Sequence, residues 1–379
     1  MNTVTAEKAD NSKKRAALAR QPAMTAKLAG LVVVAAAAVA FPYVYSSPVD
    51  TNYGVYALIF VTVASAWNIF SGFSGYISLG QAVFFGTGAY TVGIAARDWH
   101  MNGDGIFVLL PLGAAVATAV AVPFGLIALR VRRHTFIVIT IAVFFIFQLM
   151  AYDFSFTGGT IGLPAPFLSW PTATYNNPFY FMALGAAAVT IVLAWLIRRS
   201  KFGLQLRAIK DDEDRALGLG VRTMRVKLGA FVLSAFITGF IGGVWFLYIT
   251  QVLPSSGYDP LFDLTIVLMA FLGGVGTIAG PVIGALLIEP GRLYLTTRFT
   301  NGYLAEILLG ALFLLIVLFV PRGVVPTGGE WIKKLRSRGR PAIEPEGRDA
   351  AWTRSRPRER GTSDEGRRRL AAARRRDRG

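Results

Sequence analysis

The chain contains no cysteine, which excludes disulfide frameworks, thiolate metal sites and cysteine nucleophiles. Its two histidines, His100 and His134, lie far apart, so no histidine-rich metal centre is expected and no set of nucleophile, base and acid stands out. No GxxxxGK[ST] sequence occurs, so the chain has no P-loop with which to bind ATP itself. Charge is also scarce, at 16% of residues against 54% hydrophobic, with a mean hydropathy of +0.50. A water-soluble domain does not show that balance. Short alternating segments of the outer-membrane barrel type are missing too. What remains is an integral membrane protein built of helices.

The formal net charge of +17 sits mainly at the two ends. Trp331 to Gly379 holds 17 Lys/Arg and 7 Asp/Glu, and Met1 to Lys27 holds 6 and 2. A basic tail can bind nucleic acid. Beside a membrane domain, contact with anionic lipid or a role in fixing orientation is the favoured reading, and nucleic acid is not expected as a partner. The chain thus divides into a basic segment 1–27, an apolar body 28–325 and a basic tail 326–379 expected to be disordered, with both ends in the cytoplasm.

Apolar runs long enough to cross the bilayer recur through the body. Leu28 to Tyr45 reads as the first, ended by Pro42 and Pro48. Thr51 to Ala96 is 46 residues without a charge, interrupted by the Gly- and Ser-rich SGFSGYISLGQ (Ser71 to Gln81), and is read as two helices joined by an unwound segment. Such a break at membrane depth must be packed in protein or line a cavity. Ile106 to Leu129 leads to Arg130, Arg132 and Arg133, a cytoplasmic marker. Phe136 to Ala151 leaves, Tyr152 to Pro178 forms an external loop, and Phe179 to Ile197 returns. Leu228 to Ile249 exits to a loop expected to expose Asp259 and Asp263.

A cytoplasmic tail then requires Leu261 to Leu272 and Pro281 to Leu295 to be two short crossings joined at GGVGTIAGP, before a last span, Leu304 to Val320. Glu289, followed by Pro290, reads as a helix cap near the interface. The expected fold is an all-α polytopic membrane protein of about ten crossings, some short or broken.

Two Gly-interrupted segments, one in each half, are the pattern of internally repeated transporters whose unwound helices meet near the substrate path. This nominates Gly72, Gly75, Gly273, Gly274 and Gly276 as path residues, together with the uncharged polar Asn68, Ser74, Ser78, Gln81 and Gln148. Each polar side chain has the competing role of an interhelical hydrogen bond, and each glycine that of close helix contact.

Between the two segments lies the dense mixture of both charge signs, Arg198 to Lys227. Within it LQLRAIKDDEDRALGLG reads as one short amphipathic helix. Leu204, Leu206, Ile209, Ala216 and Leu217 lack a lipid-length segment to bury them, and Arg207, Lys210 and Arg215 flank them. The acids Asp211 to Asp214 are consecutive and point around a helix, which argues against a metal site. A solvated surface helix is the plain alternative; a helix that fits a groove on a soluble partner is the sharper one.

These residues resemble a known family, the inner-membrane permease subunits of ABC importers for branched-chain amino acids, of the LivM type. The resemblance runs from about Val55 to Val324 and rests on NIFSGFSGYISLGQAVFFGTGAY, SFTGGTIGLP, FGLQLRAIKDDEDRALGLGVRTMRVKLGAFVLSAFITGFIGG, FLGGVGTIAGPVIGA and FVPRGVV. It implies a coupling helix that docks on an ATPase, carried here by Leu204, Leu206, Arg207, Ile209, Lys210, Asp211, Asp212, Arg215, Leu217 and Gly218. It also implies two ABC ATPase subunits, a second homologous permease and an external substrate-binding protein as partners, with ATP used by those partners and no cofactor bound by the chain. Position 81 departs from the pattern, with Gln81 where many family members carry His, and so does the Arg-rich tail. Permeases for urea, short amides or sugars, and a self-sufficient secondary carrier, stay open as other readings of the same architecture.

Overall fold

The structure, a computed structural model, describes residues 30, 33–45, 47–166, 168, 170–171, 174–298, 307, 310–311, 314 and 323–327. The chain divides into two units, Met1–Gly329 and Glu330–Gly379, and every described residue lies in the first. The expected last span, Leu304 to Val320, and both basic ends fall largely or wholly outside the described residues.

The architecture is helical. Helix α1 spans Val33–Val44, and α2 spans Pro48–Trp67 with Pro48 at its first turn, where a fixed φ suits a helix start. A π-helical turn, Asn68–Gly72, extends α2 before the chain unwinds. Helix α3 (Gln81–Asp98) follows, then a 3-10 turn that leads into α4 (Leu110–Ala128), then α5 (Arg133–Asp153) and α6 (Asn176–Arg199). Two short helices, α7 (Lys201–Asp211) and α8 (Glu213–Gly218), precede α9 (Thr223–Tyr248). The series closes with a single turn α10 (Pro254–Gly257), α11 (Pro260–Gly273) and α12 (Ala279–Arg298). Among the described residues five helical stretches are long and apolar enough to cross a membrane: Pro48–Gly72, Gly105–Ala128, Arg133–Asp153, Asn176–Arg199 and Thr223–Tyr248.

Helix α9 is the hub and packs on α3, α4 and α2. Glycine makes this approach possible: a Cβ at Gly88 of α3 would run into the backbone of Gly239 in α9, and one at Gly242 into that of Phe85. Small residues at such contacts let helices meet in lipid, where no hydrophobic effect pulls them together. Phe70, Phe84, Phe124, Phe136 and Phe231 fill the remaining space, with Phe231 edge-on to Phe70 at 5.0 Å. Helices α4, α5 and α6 turn Ile127, Val138, Leu149, Val189 and Leu196 outward, an apolar surface suited to hydrocarbon.

Three expectations need correction. The stretch read as one amphipathic helix is two, because Asp212 is extended (φ −159°, ψ 112°) and its carboxylate accepts from Arg215 N to start α8. Asp263 is not on an exposed loop: it is 4% exposed in the first turn of α11, since the segment after α9 folds back on α3 through Tyr258. Glu289 does not cap a helix. It lies inside α12, buried, and is paired with Arg292 at 2.6 Å. One feature had no sequence signal: Leu163–Pro164 and Gln251–Val252 form a two-residue antiparallel ladder that joins the loops after α5 and α9.

Candidate functional site

The two glycine-rich breaks meet. Asn68, in the π-helical turn, accepts a hydrogen bond from Gly276 N at 2.8 Å and donates one to Thr277 O at 2.8 Å. One side chain thereby satisfies a donor and an acceptor of the turn between α11 and α12. Gly276 has φ +82°, and a Cβ there would lie 3.0 Å from both Gly72 O and Lys210 Nζ. Glycine is therefore required by conformation and by space. Gly273 and Gly280 bring α11 and α12 together in the same manner, and Gly274, at φ +117°, opens the turn.

The unwound segment 75–80 is held by side chains rather than by a regular ladder. Ser74 Oγ donates to Phe70 O at 2.7 Å and accepts from Tyr76 N at 3.2 Å. Ser78 N donates to Ser71 Oγ at 3.2 Å, and Ser78 O accepts from Trp67 Nε1 at 2.8 Å. Leu79 N donates to Thr140 Oγ1 at 3.1 Å. Irregular backbone at membrane depth needs this kind of satisfaction. Gly75, at φ +75°, sits against Lys210.

The short helices α7 and α8 cover this junction with one face and show the other to solvent. Ser200 caps α7 by accepting from Gly203 N at 3.2 Å. Leu206, Ile209 and Ala216 are buried beneath the pair, whereas Leu204, Arg207, Asp211, Arg215, Leu217, Gly218 and Leu219 are exposed. Leu219 reaches 83% exposure, too much for a side chain that serves the core of this chain. Lys210 points inward and donates to Gly72 O at 2.9 Å. Burial is the main reason its ammonium is held below the usual lysine range. Arg133 donates to Ile209 O and Lys210 O, both at 2.7 Å, and so supplies a cation to the carbonyl end of α7. Arg207 donates to Arg198 O at 2.6 Å.

Lys227, 3% exposed near the start of α9, lies deeper. Its ammonium donates to Glu213 Oε1 at 2.6 Å, Leu129 O at 3.2 Å and Tyr76 Oη at 3.2 Å, which uses all three donors. The Tyr76 hydroxyl in turn donates to Glu213 Oε2. Burial alone would raise the Glu213 carboxyl, but hydrogen bonds from Lys227 and Tyr76 and the Lys227 charge hold it below its ordinary value. An open cleft of 680 Å³ borders this cluster, and its lining includes Arg130, Arg132, Arg133 and His134 together with Asp211, Asp212, Glu213 and Asp214.

The structure thus brings Asn68, Gly72, Gly75, Gly276 and Lys210 into one junction. Gln81 and Gln148 lie elsewhere: Gln81 donates to Ser234 Oγ at 2.8 Å and Thr238 Oγ1 at 2.6 Å, and Gln148 to Tyr258 O at 2.6 Å. Sequence reasoning passed over Tyr76, Thr277, Glu213 and Lys227. For the last there was little signal, because Lys227 closes the charged stretch, directly before the apolar run from Leu228, and reads there as one more cytoplasmic cation beside Arg222 and Arg225. It also passed over Asp263, whose Oδ1 accepts from Ala82 N at 3.0 Å and so caps α3 from another helix. No cluster that could hold a metal ion occurs among the described residues.

Residues 50–317 match the family model described as "Branched-chain amino acid transport system / permease component". The high-affinity branched-chain amino acid transport system permease protein LivM of Escherichia coli (strain K12) is 27% identical over 327 residues, 78% of this chain and 74% of that protein. The corresponding LivH protein of Salmonella typhimurium is 24% identical over 282 residues, 70% of this chain and 91% of that protein. The ribose import permease protein RbsC of Bacillus subtilis is 26% identical over 150 residues, 37% of this chain and 46% of that protein. No solved structure matches the chain.

Proposed function

Because the chain belongs to the branched-chain amino acid transport system permease family, we propose that it is the membrane-spanning subunit of an ATP-driven importer for these amino acids. It is not an enzyme in this role. In the full reading it pairs with a second, homologous permease, sits on two ATPase subunits that bind and hydrolyse the ATP, and receives substrate from an external binding protein. It crosses the inner membrane about ten times with both ends in the cytoplasm, and the basic tail rests on anionic lipid.

The α7–α8 pair is the docking element in this scheme. One observation carries that assignment: the pair exposes Leu204, Leu217 and Leu219 beside Arg207 and Arg215, while its opposite face is bonded to the junction of the two breaks. Closure of the ATPase pair displaces α7–α8, and the bundle alternates between inward-facing and outward-facing states. The substrate passes between the permease subunits along the broken helices, and selection among substrates rests mainly with the binding protein.

The test replaces exposed residues only. Leu217→Asp combined with Arg207→Glu is expected to abolish co-purification of the ATPase and uptake of labelled leucine, with the permease still inserted in the membrane. Undiminished co-purification and uptake in that variant would sink the docking assignment.

A further inference from the structure

The α7–α8 pair is fastened to the break after α2 at two points, one per helix: the π-helical turn and the unwound segment that follows it. Lys210 of α7 donates to Gly72 O at 2.9 Å. Glu213 of α8 accepts from the Tyr76 hydroxyl, and Lys227 bridges both groups from α9. The peptide between the two helices is extended at Asp212 and offers a hinge. With one bond on either side of that hinge, the pair cannot pivot without disturbing the segment from Gly72 to Tyr76. A third attachment runs onward, from Asn68 to Gly276 and Thr277, into the other half of the chain.

Stability does not explain the Lys227–Glu213 bond well. The Lys227 side chain is 4% exposed and that of Glu213 24%, so the pair is largely withdrawn from water at a desolvation cost, and a well-packed apolar pair commonly serves the fold as well or better. An ion pair with one partner buried and the other half-buried is better suited to specifying one arrangement of the parts it joins. Here those parts are α8, the unwound segment, the end of α4 and the start of α9.

We propose that Tyr76, Lys210, Glu213 and Lys227 are positioning residues that transmit displacement of the α7–α8 pair to the broken helices, so that ATP hydrolysis is converted into transport. The inference rests on the docking role assigned to that pair. Their loss lets the pair move without carrying the segment along: the ATPases still turn over while less substrate crosses per ATP.

The experiment uses the full-length chain, reconstituted in liposomes with its ATPase, permease and binding-protein partners. It reads labelled leucine transported per ATP hydrolysed. That ratio is insensitive to a smaller number of folded complexes, because both rates then fall together. Tyr76→Phe removes one hydroxyl, and Lys210→Met keeps the stem without the charge. Each is expected to lower the ratio roughly fivefold or more, the lower end of ordinary coupling energies. Lys227→Met is expected to do the same, and the pair Tyr76→Phe with Lys227→Met to do no more than the stronger single change, because both act on one network. If Lys227→Met fails to accumulate, the other two variants decide the question. An unchanged ratio in assembled Tyr76→Phe and Lys210→Met complexes overturns the proposal. Failure of the docking role is recognised separately, by full ATPase co-purification with the Leu217→Asp, Arg207→Glu chain.

Discussion

Asn68 and Glu213 show how single side chains hold irregular backbone in a helical membrane protein. Asn68 meets one donor and one acceptor that no helix can satisfy, and leaving such buried groups unpaired costs about 1–3 kcal/mol apiece. Glu213 is tied instead by charge. Its carboxyl titrates below its ordinary 4.5 in the folded chain, so its contribution is complete above that value and is lost as pH falls through the folded pKa. The stability gap between the unmodified protein and Glu213→Gln is therefore expected to be flat from neutrality down to 4.5 and to shrink below it. Thermal unfolding of the two purified proteins across that range checks this, and a gap that widens on acidification contradicts it.

At the scale of elements, the breaks were legible and their meeting was not. Glycine and serine at 71–81 and glycine at 273–281 announce irregular backbone because those residue types permit positive φ and bond their own backbone. That Asn68 reaches Gly276 is a contact 208 residues apart in the sequence, which one sequence does not encode in any local pattern. The α7–α8 stretch was misread for a related reason. Helical periodicity runs on through Asp212, while the cap signal at that residue is local and was hidden by three neighbouring acids. Its apolar residues were all visible, but Leu206 and Ile209, turned inward, could not be told from Leu204 and Leu217, turned outward, until the underlying segment was in place. The turn at Gly276 yields a sharp expectation. Gly276→Ala adds a left-handed strain of roughly 1–2 kcal/mol and crowds Gly72 O and Lys210 Nζ, so it is expected to lower uptake severely. Gly185→Ala, in α6 with open space around it, is the control and is expected to leave uptake unchanged.

For the whole molecule, we propose from the distribution of basic residues that the junction lies on the cytoplasmic side. The C-terminal ends of α4 and α6 and the N-terminal ends of α5 and α9 carry Arg130, Arg132, Arg133, Arg198, Arg199, Arg222 and Arg225, and bonds such as Arg133 to Lys210 O and Lys227 to Leu129 O bring those ends together. Lys/Arg at helix ends marks the cytoplasmic side. The α11–α12 turn reaches the same end through Asn68 and Gly72, so the glycine-rich stretch after Gly273 is a break between two helices and not the middle of one long one. A chain without cysteine allows this to be tested with single introduced thiols. Thr277→Cys is expected to resist a membrane-impermeant maleimide in intact cells and to react, if at all, only in inverted vesicles. His100→Cys, exposed in the turn after α3, is expected to react in intact cells. Rapid labelling of Thr277→Cys from outside would place the turn on the external face and overturn the proposed cytoplasmic position of the junction.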